Sequence, residues 1–326
     1  MSDREITYRE AIVAALQEEM RRDPKTLIMG EDIGASGGPF KTCQGLYEEF
    51  GAVRVRDTPI AETGFVGAAL GLALTGYRPI VEIMFADFLG VCYDQIVNGI
   101  AKHRFMSGGK VKVPIVIRAL GGAGLRFGAQ HSQTAESWML SVPGLKIICP
   151  SSPAEAYGML KAAIRDDNPV LVLEHKALLS MKGNVPVGSD DAAMPTGARV
   201  LRPGRDATIV ASLAMVGKAL TAAEQLHAEG IEAEVIDIRV LRPLDVTAVS
   251  ESVRRTNILV TVEEQSPTGG WSSDVVADVV SQAFDYLDAP PARITLPDHP
   301  LPYSPGLEDA AIPSPEKIAA TVRSLL

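Results

Sequence analysis

The chain has 326 residues, 46% of them hydrophobic but only 5% aromatic, and a formal net charge of −9 at pH 7. That length suits two α/β domains, with cores built from Ala, Val, Leu and Ile rather than from rings. The acidic balance argues against nucleic acid and anionic membranes as partners, no signal peptide or membrane helix is expected, and Cys43, Cys92 and Cys149 are too scattered for a disulfide framework or a zinc site, which favours a reducing, cytoplasmic setting.

Thr7-Tyr-Arg-Glu10 has the capping-box pattern and predicts a helix running to about Arg22. A short apolar strand follows at 26–31, then a glycine-rich loop at 33–45 and a strand at Val53–Arg56. The segment DTPIAETGFVGAALGLALTG (57–76) makes a Thr-Pro turn and sets one acid, Glu62, at the start of a nearly all-apolar helix. A carboxyl held in such an apolar setting would have its charged form disfavoured, an expectation that would suit it to proton chemistry; a first-turn acid favoured by the helix dipole is the plainer alternative. Gly64, Gly67 and Gly71 share one face of this helix, which suits close approach of another backbone.

Further elements are a strand at 78–85, a helix over Phe88–Arg104, a strand at 113–120 and the loop GGAGLRFGAQHSQ. His131 in that loop is either a proton-transfer group or a histidine bonded to backbone. A helix is expected at 133–141, then strands at 145–149 and 169–174 around a helix at 153–165. Buried strands alternating with helices argue a parallel sheet covered on both faces. Periodicity is lost over 180–198 and resumes with strands at 207–212, 231–238, 257–264 and 293–296. Helices are expected at about 215–229, 246–255, 270–284 and 314–325. Glu263 and Glu264 end a strand, where ligands bind in open α/β sheets, although a solvated strand end is preferred. The glycine cluster 121–128 lacks the G-x-G-x-x-G spacing and makes only a weak case for an NAD-binding dehydrogenase.

Taken together, MGEDIG, DTPIAETGFVGAALG, DQIVNGIAKHRFMSGG, AQHSQ, VPGLKIICPSSPAEA, AIRDDNPV and VLRPLD resemble the β subunit of the two-gene, thiamine-diphosphate-dependent 2-oxo acid dehydrogenases, the family of the pyruvate, branched-chain 2-oxo acid and acetoin enzymes. The resemblance runs the length of the chain. It implies an α/β fold with a pyrimidine-binding domain (1–185), a linker (186–198) and a transketolase-type C-terminal domain (199–326). It implies that Glu62 bonds the aminopyrimidine N1′ of thiamine diphosphate, that Ile60 and Phe88 contact the same ring, and that His131 serves acyl transfer to a lipoyl group. Ile115, Ala163, Asp166 and Asn168 match a potassium site made partly of backbone carbonyls. The Gly-Asp-Gly motif that holds Mg²⁺ and the diphosphate is missing from this chain, and in the family it sits on the α subunit. The resemblance therefore implies an α2β2 heterotetramer with a β–β contact, inactive without α, and attached to a lipoyl acyltransferase core through the region of Asp298. GAGLRFGAQHSQTAESW leans toward the pyruvate and acetoin branches. A non-catalytic assembly subunit is the remaining alternative.

Overall fold

The computed structural model describes residues 3–190, 192 and 194–326; Asp191 and Ala193, in the expected linker, lie outside the described residues. The chain folds into two compact units, 1–121 with 141–194, and 122–140 with 195–326. The segment 122–140, which carries His131, belongs to the second unit although its neighbours in sequence on both sides belong to the first.

In the first unit, β1 (Arg4–Thr7) leads into α1 (Tyr8–Arg22) through the expected capping box. Thr7 Oγ1 accepts the Glu10 N–H at 3.2 Å, and the Glu10 carboxylate accepts the Thr7 N–H at 2.7 Å. There follow β2 (Thr26–Gly30), α2 (Leu46–Arg54), β3 (Val55–Asp57), α3 (Glu62–Leu74), β4 (Arg78–Ile83), α4 (Ala101–Met106), β5 (Val116–Gly121), β6 (Lys146–Ile148), α5 (Pro153–Arg165), β7 (Val170–His175) and β8 (Lys182–Val185). Six of these strands make a parallel sheet in the order β6-β7-β5-β4-β2-β3. Strands β2, β5 and β7 are buried along their whole length, as strands covered on both faces must be. Strand β8 pairs antiparallel with β1, in a stretch expected to lack structure.

The second unit contains β9 (Arg199–Arg202), β10 (Ala207–Ala211), α6 (Ala214–His227), β11 (Ala233–Asp237), β12 (Val240–Arg242), α7 (Val246–Thr256), β13 (Leu259–Val262), α8 (Trp271–Ala283), β14 (Ala292–Ile294), α9 (Pro305–Ala311) and α10 (Pro315–Leu325). Its sheet runs β14-β13-β10-β11-β9, parallel except for β9. The core is largely Ala, Val, Ile and Leu, with Ile209, Val235, Val260 and Val262 from the strands packed under Ala219, Ala223 and Leu226 of α6.

Three expectations about elements fail. The single helix over 88–104 is instead a 3-10 turn (Ala86–Gly90), a π-helical turn (Gln95–Ile100) and α4. No helix forms at 133–141. Gln265 donates from its side-chain amide to the carbonyl of Thr134, and only short turns follow, with Trp138 N–H on Ala135 O and Leu140 N–H on Ser137 O. Thirdly, the strand expected from Val53 starts only at Val55, because α2 occupies the residues before it, kinked where Gly51 takes φ +72°.

Candidate active site

Strands β2 and β3 are parallel neighbours, and each is followed at its carboxyl end by an acid. Glu31 comes directly after β2. After β3 the chain turns through Thr58, whose N–H binds Gly30 O at 3.0 Å, and reaches Glu62 at the first position of α3. Ligand crevices in open α/β sheets lie at such strand ends. The turn is braced by Asp57, which accepts the Gly34 N–H at 2.6 Å.

Both carboxyls are withdrawn from water, Glu31 being 7% and Glu62 6% exposed. Glu31 Oε1 is buried and has no hydrogen-bond partner among the described residues. Burial, reinforced by the charges of Glu62 and Asp32, pushes the Glu31 carboxyl up to about 6. Burial and the Glu62 charge also push the Cys92 thiol up to about 12, so it stays protonated at neutral pH. The pair thus forms an acidic crevice with an orphaned acceptor, suited to a ligand that brings its own donor.

Phe65 and Val66 beneath Glu62 are buried, whereas Ile60 is 87% exposed and presents its side chain outward beside the acid. Thr63 Oγ1 donates to Val91 O at 2.9 Å and ties the first turn of α3 to the segment of Phe88. Phe88 is half-buried and stacks edge-on against Phe85, with centroids 5.8 Å apart, and Phe85 stacks in turn on Phe40 at 5.5 Å. Ile60, Glu62 and the Phe88 segment therefore share one end of the first unit. Glu31 is the member that the spacing of Glu62 does not reveal, since it arrives from a neighbouring strand.

Among the described residues of the first unit, the glycine face of α3 meets no backbone of another element. A Cβ on Gly71 has nothing within 4 Å, and those on Gly64 and Gly67 meet only the side chains of Ala61 and Gln95 at 3.8 and 3.7 Å. The close approach is made instead at Gly99, where Leu70 lies 3.4 Å from the added Cβ.

Asp166 and Asn168 come together at the end of α5. Asp166 accepts the Asn168 N–H at 2.9 Å and its amide at 2.8 Å, and its other oxygen pairs with Lys146. Asn168 Oδ1 accepts from Arg104 at 2.5 Å. These side-chain oxygens are already engaged, Asp166 Oδ1 by the two Asn168 N–H groups and the other two by the Lys146 and Arg104 cations. The Ile115 and Ala163 carbonyls each accept one backbone N–H, from Val170 at 2.9 Å and Asp166 at 3.2 Å. A potassium ion would have backbone carbonyls, with their second lone pairs, as its donors here.

His131 lies in the second unit, half-buried, with its N–H 3.5 Å from Gly128 O. The strand-end acids Glu263 and Glu264 are buried rather than solvated, at 0% and 4% exposure. Glu263 accepts from Ser272 and from Arg293 at 3.2 Å. Glu264 accepts the Ala123 N–H at 2.6 Å. The solvated strand end is thus replaced by two anchors, one for α8 and one for the loop of His131. Beside them Glu136, fully buried, takes the Ser212 hydroxyl at 2.7 Å, and burial pushes its carboxyl up to about 8. The loop also borders a cavity of about 530 Å³ within the second unit, lined by Gln130, Thr134, Trp138, Gln265 and Asp298 among others.

Comparison with known proteins agrees with this architecture. Residues 4–182 match the transketolase pyrimidine binding domain, and residues 196–318 the transketolase C-terminal domain. The chain is 46% identical to the acetoin:2,6-dichlorophenolindophenol oxidoreductase subunit beta of Cupriavidus necator, over 99% of this chain and 98% of that protein. It is also 46% identical to the pyruvate dehydrogenase E1 component subunit beta of Rhizobium meliloti, over 98% of this chain and 70% of that one. A solved structure described as a split-gene transketolase, an inactive β4 tetramer, is similar with a TM-score of 0.77 and 29% identity, covering 98% of each chain.

Proposed function

Because the chain belongs to the family of β subunits of the thiamine-diphosphate-dependent 2-oxo acid dehydrogenases, we propose that it forms the pyrimidine-side half of such an enzyme and acts only with an α subunit. The observation that carries the reading is the pair of buried acids, Glu31 and Glu62, at the carboxyl ends of adjacent parallel strands. An aminopyrimidine ring brings donors and a ring nitrogen to such a pair, and the orphaned Glu31 Oε1 is an acceptor in need of one. The residues present fit that half of the cofactor.

Thiamine diphosphate, when bound, supplies the electron sink for cleaving the bond beside a keto carbon. This chain's own work is to hold protons and exclude water. Glu62 holds the proton at the ring nitrogen N1′, and Ile60 and Phe88 flank the ring. Glu31, raised toward neutrality, keeps a proton or an acceptor available next to Glu62. His131 serves the later transfer of the acyl group to a lipoyl arm, through an imidazole whose two ring nitrogens can give and accept a hydrogen bond. The diphosphate and Mg²⁺ fall to the α subunit, since this chain has no Gly-Asp-Gly. Potassium, where it binds, takes the carbonyls of Ile115 and Ala163 together with those near Asp166 and Asn168.

The substrate is pyruvate or a close relative, and acetoin is the second reading, favoured by the equal identity to both kinds of β subunit. The test is to co-express the chain with the α subunit and to assay pyruvate, branched-chain 2-oxo acids and acetoin against a dye acceptor. Turnover of one of these substrates that needs both chains and thiamine diphosphate is expected. Turnover by this chain alone, or protection by NAD without α, contradicts the proposal.

A further inference from the structure

We propose that Glu308 is a positioning residue for His131, setting the loop that offers the histidine to the lipoyl arm; this rests on the role given to His131 above. The stretch between Gly122 and Gln133 forms neither helix nor strand, and its two ends are joined by Gly122 N–H on Gln133 O at 3.1 Å. Within it Gly122, Gly124, Arg126 and Gly128 all have left-handed backbone, with φ between +64° and +98°. Such a run builds no repeating hydrogen-bond ladder of its own, so its shape must be imposed from outside. Arg126 is the only non-glycine among the four, and a side chain there persists only where its surroundings over-determine it.

Glu308 supplies that constraint. It sits in the first turn of α9, its side chain is wholly buried, and both of its oxygens face the loop. Oε1 accepts the Gly124 N–H at 2.9 Å, and Oε2 accepts the Arg126 N–H at 3.2 Å together with the Arg126 guanidinium. The outer edge of that guanidinium reaches Asp309 at 2.9 Å. One carboxylate thus fixes two backbone amides and the side chain of the strained residue, through charge-assisted bonds. Tyr303, just before α9, lies 3.9 Å from a Cβ built on Gly128, whose carbonyl faces the His131 N–H. The far limb is held separately, because Thr134 donates its hydroxyl to the Glu264 carbonyl and receives the Gln265 amide. His131 is therefore suspended between two pinned limbs, and Glu308 is the pin on its upstream side.

The experiment uses the assembled α2β2 enzyme with thiamine diphosphate and compares Glu308→Gln, Glu308→Ala and His131→Ala. Dye reduction reports decarboxylation without the lipoyl arm, and acylation of a free lipoyl domain reports the transfer step. Glu308→Ala is expected to lower kcat/KM for the lipoyl domain about 10- to 100-fold while dye reduction stays within about twofold. Glu308→Gln, which keeps an acceptor for Gly124, is expected to fall between wild type and Ala. Hydrogen exchange of residues 122–133 is expected to quicken more than that of the sheet strands of the second unit. Parallel loss of both activities, or no change in acylation while His131→Ala abolishes it, overturns the role of Glu308 alone. If His131→Ala leaves acylation intact, the reading of His131 falls and this inference with it.

Discussion

At the scale of single residues, the two strand-end acids differ in how visible they are. Glu62 is legible because it stands alone in an apolar run after a Thr-Pro turn. Glu31 becomes significant only when parallel pairing of β2 and β3 sets it beside Glu62. Its consequence is measurable. The folded-state value of about 6 lies above the ordinary 4.5, so the folded chain binds this proton more tightly than the unfolded chain does. Stability therefore falls as pH rises between those values, and the cost is fully present above about pH 6. Glu31→Gln is expected to stabilise the chain by about 1–2 kcal/mol at pH 8 and not at all near pH 4. Denaturant unfolding of both proteins at the two pH values checks this, and a gain independent of pH contradicts it. Glu263 and Glu264 show the opposite lesson, since two acids at a strand end read as solvated until the fold brings Ser272, Arg293 and Ala123 onto them.

At the scale of elements, apolar runs located the sheets well, because a strand covered on both faces needs nothing beyond four to six buried residues. Elements held by side chains from elsewhere were not legible. The segment 133–141 has helical composition, but Gln265 takes its carbonyl at Thr134 and its turns close early. The first sheet carries a further hidden feature. Arg118 on β5 is 1% exposed, bonds Glu174 on β7 through two contacts at 2.8 and 2.7 Å, and bonds Glu82 on β4 at 2.6 Å. Glu82 also accepts from Thr42 at 3.0 Å and from Cys43 at 3.2 Å, which ties the glycine-rich loop 33–45 to the sheet. Removing the guanidinium leaves two buried carboxylates facing each other. Arg118→Met is expected to cost about 3–5 kcal/mol in urea unfolding. The Arg118→Met, Glu82→Gln, Glu174→Gln triple variant is expected to recover much of that loss, because the stranded charges are then gone.

At the scale of the whole molecule, the surface is incomplete in a way that fits a subunit. Ile60, Phe105 and Met106 are large apolar side chains 87%, 89% and 64% exposed, and the glycine face of α3 is open. Helix-borne glycine costs about 1 kcal/mol relative to alanine, so an open glycine face calls for a purpose beyond this chain. Gly71→Leu is expected to leave the isolated chain as stable as before or more so, since nothing lies within 4 Å of the new Cβ. In co-expression it is expected to weaken assembly with α, read by size-exclusion chromatography; unchanged assembly places the partner elsewhere.

The most direct test of a catalytic subunit, as against one that only supports its partner, is the 2-oxo acid turnover of Glu62→Gln co-expressed with α. The substitution keeps the size of a side chain that is 6% exposed, so the tetramer is expected to form and bind thiamine diphosphate. Its turnover is expected to fall by about 100-fold or more, the scale of losing a positioned proton-transfer group. A tetramer that turns over within a few-fold of wild type would contradict the account.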